Sequence, residues 1–168
     1  MITADWARMM ARYTQWQNGA IFGAANVLTD ADRQMDRGAF FGSIETTLNH
    51  LLWGDRIWMS RFTGTGSPKQ ASITDSVREE PDWPALLFAR ARFDTEILGW
   101  AEGLDDATLR GDLTWYSGAA GREVTRPLAL CVTHFFNHGT HHRGQVHGML
   151  TAAGARTEDT DLFLMPTL

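Results

Sequence analysis

The amino-acid sequence predicts an all-α protein, and specifically an antiparallel four-helix bundle. Four long segments carry apolar residues at intervals of three and four, which is the spacing of amphipathic helices. The connection between the second and third segments is long, polar and rich in glycine and proline, so it predicts a loop. A weakly patterned stretch before the last helix predicts a small irregular or hairpin insertion. The length of 168 residues fits a single helical domain spanning residues 1–168.

The helices can be placed from their apolar positions and from the residues that begin and end them. The predicted helices span residues 4–28, 43–62, 84–101 and 126–153. Pro84 lies in the first turn of the third helix, where a missing N–H is tolerated, and Gly154 follows the fourth helix as a stop signal. Thr29 is a candidate N-cap with Asp32 three residues later, so a short helical turn is expected after the first helix.

Three further segments connect or follow the helices. Residues 63–82 form the long polar connection. Residues 113–116 and 122–125 flank the glycine-rich string SGAAG and predict a small hairpin or a pair of extended segments. Residues 157–168 are expected to form an extended tail that lies against the body of the protein.

Composition excludes several classes of protein. Hydrophobic residues make up 43% of the chain and charged residues 21%, which is an ordinary soluble composition. The formal net charge of −5 argues against a nucleic-acid-binding face, and no apolar run is long enough for a membrane span. The single cysteine, Cys131, excludes an intramolecular disulfide and suits a reducing compartment. We therefore expect a cytoplasmic protein that binds neither nucleic acid nor membranes.

Histidines are concentrated in one short stretch of the predicted fourth helix. Of the six in the chain, only His50 lies elsewhere, on the predicted second helix. The clustered ones are His134, His138, His141, His142 and His147. Imidazole is a common ligand of zinc, nickel, copper and iron, and two histidines four residues apart on a helix can hold the same ion. A third ligand from another helix would complete a three-histidine site with open coordination positions.

Spacing alone leaves two ligand pairs open, His134 with His138 and His138 with His142, so that His138 is shared. The alternative is a row of histidines at the edge of the core whose ring nitrogens are satisfied by hydrogen bonds. A metal site is the favoured interpretation, because a helical pair within a cluster is accompanied by a lone histidine on a second helix.

Two longer strings resemble a known family. GSIETTLNHLLWGDRIWMSRF and HFFNHGTHHRGQVHGML are similar to parts of the DinB-like family, which are metal-binding four-helix bundles often called DNA-damage-inducible proteins. Tyr13, Trp16 and Asn18 match the Y-x-x-W-x-N run that the family often carries in its first helix. The resemblance covers the predicted first, second and fourth helices.

The resemblance implies that His50, His138 and His142 are the metal ligands. For a site of three histidines we expect zinc or nickel in the protein as isolated. The other histidines are then neighbours with hydrogen-bonding or surface roles: His134, His141 and His147. A homodimer is expected because amphipathic helices with this many aromatic residues tend to leave one face to be covered, and the resemblance agrees with that expectation. Related proteins include thiol-dependent S-transferases and maleylpyruvate isomerase, which use a low-molecular-weight thiol as cofactor.

These properties favour a metal-dependent thiol transferase or isomerase that acts on small electrophiles. Three neutral ligands leave a divalent ion with its full charge and with open positions, and such an ion acidifies a bound thiol. One alternative is a metal-dependent hydrolase in which water is the nucleophile. Another is a non-catalytic stress-response or dimerisation module that the metal only stabilises.

Five residues near the histidines have two interpretations each. Asp55 could orient a ligand histidine, but an exposed or salt-bridged carboxylate is favoured. Trp53 and Trp58 could line a pocket, although tryptophans at helical spacing more often lie in a core or a dimer interface. Arg143 could recognise a substrate carboxylate or form a structural ion pair. Cys131 lies about two helical turns from the ligand pair, so it is expected to be a small core residue rather than a ligand.

Overall fold

Four long helices make up most of the protein's described structure. The structure is a computed structural model and describes residues 1–118 and 120–166. The helices are α1 (Ala4–Asn26), α2 (Asp30–Gln34), α3 (Ile44–Thr63), α4 (Trp83–Glu102), α5 (Asp106–Leu109) and α6 (Leu128–Ala152). The strands are β1 (Asp112–Ser117) and β2 (Arg122–Pro127), and short 3-10 turns span Asp75–Arg78 and Leu162–Leu164. The structure confirms a mainly helical protein with a small two-stranded sheet. The finer assignment to an antiparallel four-helix bundle stays a prediction.

Capping residues set the ends of α3 and the start of α4. The Ser43 hydroxyl accepts a hydrogen bond from the N–H of Thr46 (3.2 Å), and the Thr46 hydroxyl accepts one from the N–H of Ser43 (3.0 Å). Helix α3 ends at Thr63 and is capped by Gly64, whose φ of 70° lies in the left-handed region that glycine adopts without strain. The Asp82 carboxylate caps α4 by accepting from the N–H of Ala85 at 2.8 Å. Both helices therefore lie close to their predicted positions.

The core draws on all four long helices and is divided into two clusters of buried side chains. The first includes Phe22, Leu48, Leu86 and Val146. The second includes Ala7, Met59, Ile97 and Phe135. Helix α6 contributes to both clusters and packs against α1 as well as α3, so it lies between these two helices. No helix in residues 1–118 and 120–166 is both long enough and apolar enough to cross a membrane.

The connection between α3 and α4 is a loop, as predicted, but it folds back against α3. Its Glu79 side chain is buried, although a charged residue in a polar loop is normally solvated. Arg56 on α3 donates to Glu79 at 2.5 Å. The backbone N–H groups of Lys69 and Gln70 donate to the same carboxylate at 3.0 and 3.1 Å. Trp53 on α3 also donates from Nε1 to the Gln70 carbonyl at 2.8 Å, so the connection is tied to α3 at several points.

The predicted hairpin before α6 is confirmed. Strands β1 and β2 pair antiparallel, with a register that runs from Asp112 opposite Pro127 to Ser117 opposite Arg122. The predicted turn string SGAAG includes Ala119, which lies outside the described residues. The last helix was predicted to begin around Arg126 and Pro127; because the backbone up to Pro127 is paired with β1, α6 begins at Leu128, directly after the strand.

The tail after α6 lies against α1, as predicted. The Tyr13 hydroxyl donates to the carbonyl of Thr160 at 2.7 Å, and Gln17 donates from Nε2 to the carbonyl of Asp159 at 3.0 Å. The tail is extended apart from its short 3-10 turn, and its last two residues lie outside the described part of the chain.

Candidate metal centre

Helices α3 and α6 meet along a row of residues spaced about one turn apart on each helix. We call this row the α3/α6 seam, and it comprises His50, Gly54 and Trp58 on α3 and His134, His138 and His142 on α6. The ring centroids of His50 and His142 lie 4.7 Å apart, and those of Trp58 and His134 lie 4.9 Å apart. Residue numbers rise along α3 as they fall along α6, so the two helices are antiparallel.

The seam brings three histidines together: His50, His138 and His142. One ligand nitrogen from each lies within 4.8 Å of the other two. The Nε2 atoms of His138 and His142 are 3.1 Å apart. Two nitrogens on a tetrahedral zinc ion, with Zn–N bonds of about 2.05 Å, are separated by about 3.3 Å. Two imidazole lone pairs at such a distance need a proton or a cation between them, so these residues could hold a metal ion.

Hydrogen bonds at Nδ1 orient two of the three rings. The Nδ1 atom of His50 lies 2.8 Å from the Ser76 hydroxyl oxygen. Ser76 donates its own proton to the carbonyl of Ile73 at 2.6 Å, so its oxygen accepts from His50. Nδ1 of His142 donates to Oε1 of Gln145 at 2.8 Å. With a proton on Nδ1, both rings present the Nε2 lone pair to the cluster, as a metal ligand must.

Replacing Ser76 with alanine is expected to weaken metal binding by about 10- to 100-fold, because His50 loses the buried acceptor that sets its tautomer and orientation. The dissociation constant can be measured by competition with a chromophoric chelator. Ser60→Ala is the matched control, since the Ser60 hydroxyl only donates to the carbonyl of Ile57 in the same helix, at 2.9 Å. Equal affinities in the two variants would show that the Ser76 contact is unimportant for the ion.

Burial keeps the clustered histidines neutral. Burial lowers the pKa of His50 to about 3, and the nearby His142 ring contributes to the shift. The pKa of His138 is lowered to about 3 by burial and by the surrounding histidines. Burial also lowers the pKa of His142. At neutral pH the rings therefore carry free lone pairs, and a metal ion need not displace ring protons from charged imidazolium groups.

A glycine on α3 makes room for the His138 ring. A Cβ atom at Gly54 would lie 2.7 Å from Cε1 of His138, which is well inside van der Waals contact. Gly54 lies within a helix, where glycine costs about 1 kcal/mol relative to alanine. Gly54 was not predicted to belong to the site, although a glycine inside a helix, four residues after His50, is a signal for a close approach of another element.

Aromatic rings lie beside the cluster. Phe41, in the loop before α3, stacks on His50 with ring centroids 3.8 Å apart, and Trp53 stacks on the same imidazole at 5.7 Å. Trp58 packs against His134 farther along the seam. Trp53 therefore borders the candidate site and is itself buried, whereas Trp58 packs against the second core cluster, so the core interpretation of the two tryptophans is supported. Phe41 was not predicted, because nothing in its local sequence indicates that its loop folds over α3.

Two other residues selected from the sequence belong to the interior. Asp55 is buried and pairs with Arg90 at 2.6 Å, and Arg90 also pairs with Asp94 at 2.7 Å. The salt-bridged interpretation of Asp55 is therefore confirmed, although the pair is buried rather than exposed. Cys131 is buried as well, as expected for a small core residue.

Arg143 lies in the interior without a direct ion pair to any carboxylate of the described residues. Its Nη2 atom donates to the hydroxyl of Thr140 at 3.2 Å. Gly139 leaves room for the guanidinium, since a Cβ atom there would lie 3.0 Å from Nη1. Asp55 and Asp94 balance its charge only at longer range. The direct structural ion pair considered for Arg143 is thus not present in the described part of the chain, and its recognition of a substrate carboxylate stays a prediction.

The remaining histidines lie outside the cluster of three. His134 is exposed and packs on Trp58, and His141 is exposed on the same helix. Nε2 of His147 lies 2.9 Å from the hydroxyl of Thr157 in the tail, which gives this ring a hydrogen-bonding role. The structure thus brings His138 and His142 together with His50. Spacing on α6 alone could not distinguish this pair from His134 and His138.

These features define a class: a mainly helical protein with three clustered histidines that fit a metal-binding site. The chain matches the model of the DinB family over residues 1–167, and it therefore belongs to the DinB family. It is similar to the protein DinB of Bacillus subtilis (strain 168), with 26% identity over 171 residues that cover 98% of this chain and 96% of that protein. The family predicted from the sequence is confirmed.

Proposed function

We propose that the protein is a metal-dependent thiol transferase or isomerase acting on small electrophiles. In this proposal His50, His138 and His142 hold a divalent ion, zinc or nickel in the protein as isolated, and a low-molecular-weight thiol is the cofactor. The scaffold is an antiparallel four-helix bundle that functions as a cytoplasmic homodimer. The observation that carries the proposal is the convergence of three neutral imidazoles within 4.8 Å of one another.

The donor set supports an exchangeable fourth ligand. Among the residues that the structure describes, no cysteine, aspartate or glutamate joins the three histidines. Structural zinc sites normally have four protein ligands, whereas sites with three leave a position for substrate, thiol or water. When bound, an ion in such a site supplies Lewis-acid chemistry that lowers the pKa of a thiol or a water molecule toward neutrality.

Residues of this chain prepare the site for that chemistry. Ser76 and Gln145 hold two of the imidazoles in the tautomer that a ligand requires. Phe41 and Trp53 flank His50 and keep water away from that side of the cluster. In this water-poor setting, charge interactions between the site and an anionic nucleophile are stronger than in bulk water.

Electronic absorption of the cobalt-substituted protein tests this proposal. Adding 2-mercaptoethanol or cysteine is expected to produce a thiolate-to-cobalt charge-transfer band that is absent without thiol. The Cys131→Ser variant is the matched control and should give the same band, since Cys131 is buried outside the cluster. A band that disappears in this variant would come from the protein's own thiol.

The absence of a new band with every thiol tried would contradict the proposal. If the cobalt spectrum then changed only with pH, ionisation of bound water would favour the hydrolase alternative. If the metal instead only raised the unfolding temperature, a non-catalytic module would be favoured.

A further inference from the structure

The α3/α6 seam continues beyond the histidines to an arginine held against two tryptophans. The guanidinium carbon of Arg61 lies 4.6 Å from the ring centroid of Trp58 and 5.4 Å from that of Trp115. Trp115 belongs to β1, and its ring lies 5.5 Å from that of Trp58. The hairpin therefore places an aromatic side chain, Trp115, beside α3 at this end of the seam.

Arg61 has no acidic partner among the described residues, in contrast to Arg56 on the same helix. Arg56, also on α3, pairs with Glu79 at 2.5 Å and with Glu80 at 2.8 Å. Arg61 is only half-buried, so its N–H groups remain accessible from solvent. A guanidinium that packs over indole rings does not use its hydrogen-bond donors in that contact. A cation with free donors is suited to bind an anion.

The position of Arg61 relates it to the histidine cluster. Gly54 faces His138, and Arg61 follows Gly54 by seven residues, which is about 10 Å along the axis of α3. His134 and Trp58 lie between these two levels of the seam, and His134 is exposed. A ligand that reaches from the cluster to Arg61 would therefore pass along an accessible imidazole and an indole.

We propose that Arg61 binds the carboxylate of the ligand whose thiol occupies the histidine centre. The natural thiol would then carry a carboxylate several bonds from its sulfur. A guanidinium and a carboxylate form paired, charge-assisted hydrogen bonds, and the surrounding indole surface reduces their screening by water. Both ends of the seam favour an anionic ligand, since a divalent ion on neutral histidines and Arg61 are each positive. This proposal rests on the function proposed above, because it concerns the thiol cofactor of the same site.

The test compares the binding of two thiols of equal length, 6-mercaptohexanoate and 6-mercaptohexanol, to the cobalt-substituted protein. The dissociation constant of each thiol is measured from the intensity of the charge-transfer band. The carboxylate thiol is expected to bind about tenfold more tightly in the parent protein. Arg61→Met should remove this preference without changing the affinity for the neutral thiol. Arg61→Lys keeps the charge but loses the planar donors, so it should keep only part of the preference.

Two controls separate recognition from stability. Arg92→Met removes an exposed arginine of α4 that pairs with Glu96, and it should leave the preference unchanged. Thermal unfolding of each variant shows whether Arg61 only supports the packing of Trp58 and Trp115, in which case stability would fall while both thiols keep their relative affinities.

Equal binding of the two thiols to the parent protein, or a preference that persists in Arg61→Met, would overturn the Arg61 proposal while leaving the proposed function intact. If neither thiol gives a band, the proposed function fails. The arginine contact is then tested by tryptophan-fluorescence titration with hexanoate and hexanol, where a preference for hexanoate that depends on Arg61 supports it and equal binding overturns it.

Discussion

Replacing His138 with alanine is expected to leave a folded protein that no longer retains a metal ion. His138 lies at the centre of the seam, with its Nε2 atom 3.1 Å from that of His142. Removing it leaves two imidazoles from different helices, too few for a stable zinc or nickel site. Elemental analysis of untagged protein, purified without nickel, should find about one metal ion per chain in the parent and little in the variant.

His141→Ala is the matched control for this measurement. His141 is exposed, lies on the same helix and does not belong to the cluster, so the variant should keep the metal content of the parent. A parent protein that is folded and metal-free would mean that the histidines form a hydrogen-bonded structural element. The proposed enzymatic function would then lose its main support.

Gly54→Ala is expected to weaken metal binding by about 10- to 100-fold and to lower the stability of the metal-free protein by no more than about 2 kcal/mol. The new methyl group would lie 2.7 Å from the His138 ring, so the ring must move away from the position it shares with His142. Alanine gains about 1 kcal/mol of helix propensity, which offsets part of an overpacking cost of about 1–3 kcal/mol. Chelator competition measures the affinity, and thermal unfolding of the metal-free protein measures the stability.

Gly148→Ala in α6 provides the comparison for this substitution. A Cβ atom at Gly148 would meet no side chain and no backbone of another element within 4 Å, so the variant gains helix propensity without a clash. It should bind metal like the parent and unfold at a slightly higher temperature. If Gly54→Ala behaved in the same way, the close approach of α3 to His138 would have no role in the site.

The helices could be predicted because their signals are local. Apolar residues at helical spacing and capping residues such as Ser43 and Asp82 act within a few positions of themselves, so they can be recognised without knowledge of the fold. The connection between α3 and α4 could not be predicted in the same way, because its structure depends on contacts with distant residues. Glu79 lies in a stretch whose composition predicts a solvated loop, but its carboxylate is buried against Arg56 and backbone N–H groups that only the folded chain supplies.

The candidate site was predictable only in part, for a similar reason. The pairs 134/138 and 138/142 have the same spacing on one helix, so periodicity cannot separate them. The register between α3 and α6 determines which pair joins His50, since His50 faces His142 whereas His134 faces Trp58. Ser76 reaches His50 from another segment of the chain, so no pattern in either segment indicates its contribution.

The antiparallel seam also couples metal binding to the folding of the chain. About ninety residues separate His50 from its partners on α6, so forming the cluster closes a long loop at a cost in conformational entropy. An ion held by all three histidines would bind only the docked arrangement of the two helices and would stabilise it. Once bound, it acts as a removable cross-link between distant parts of the chain, and the rate at which the helices separate would then depend on the supply of free metal around the protein.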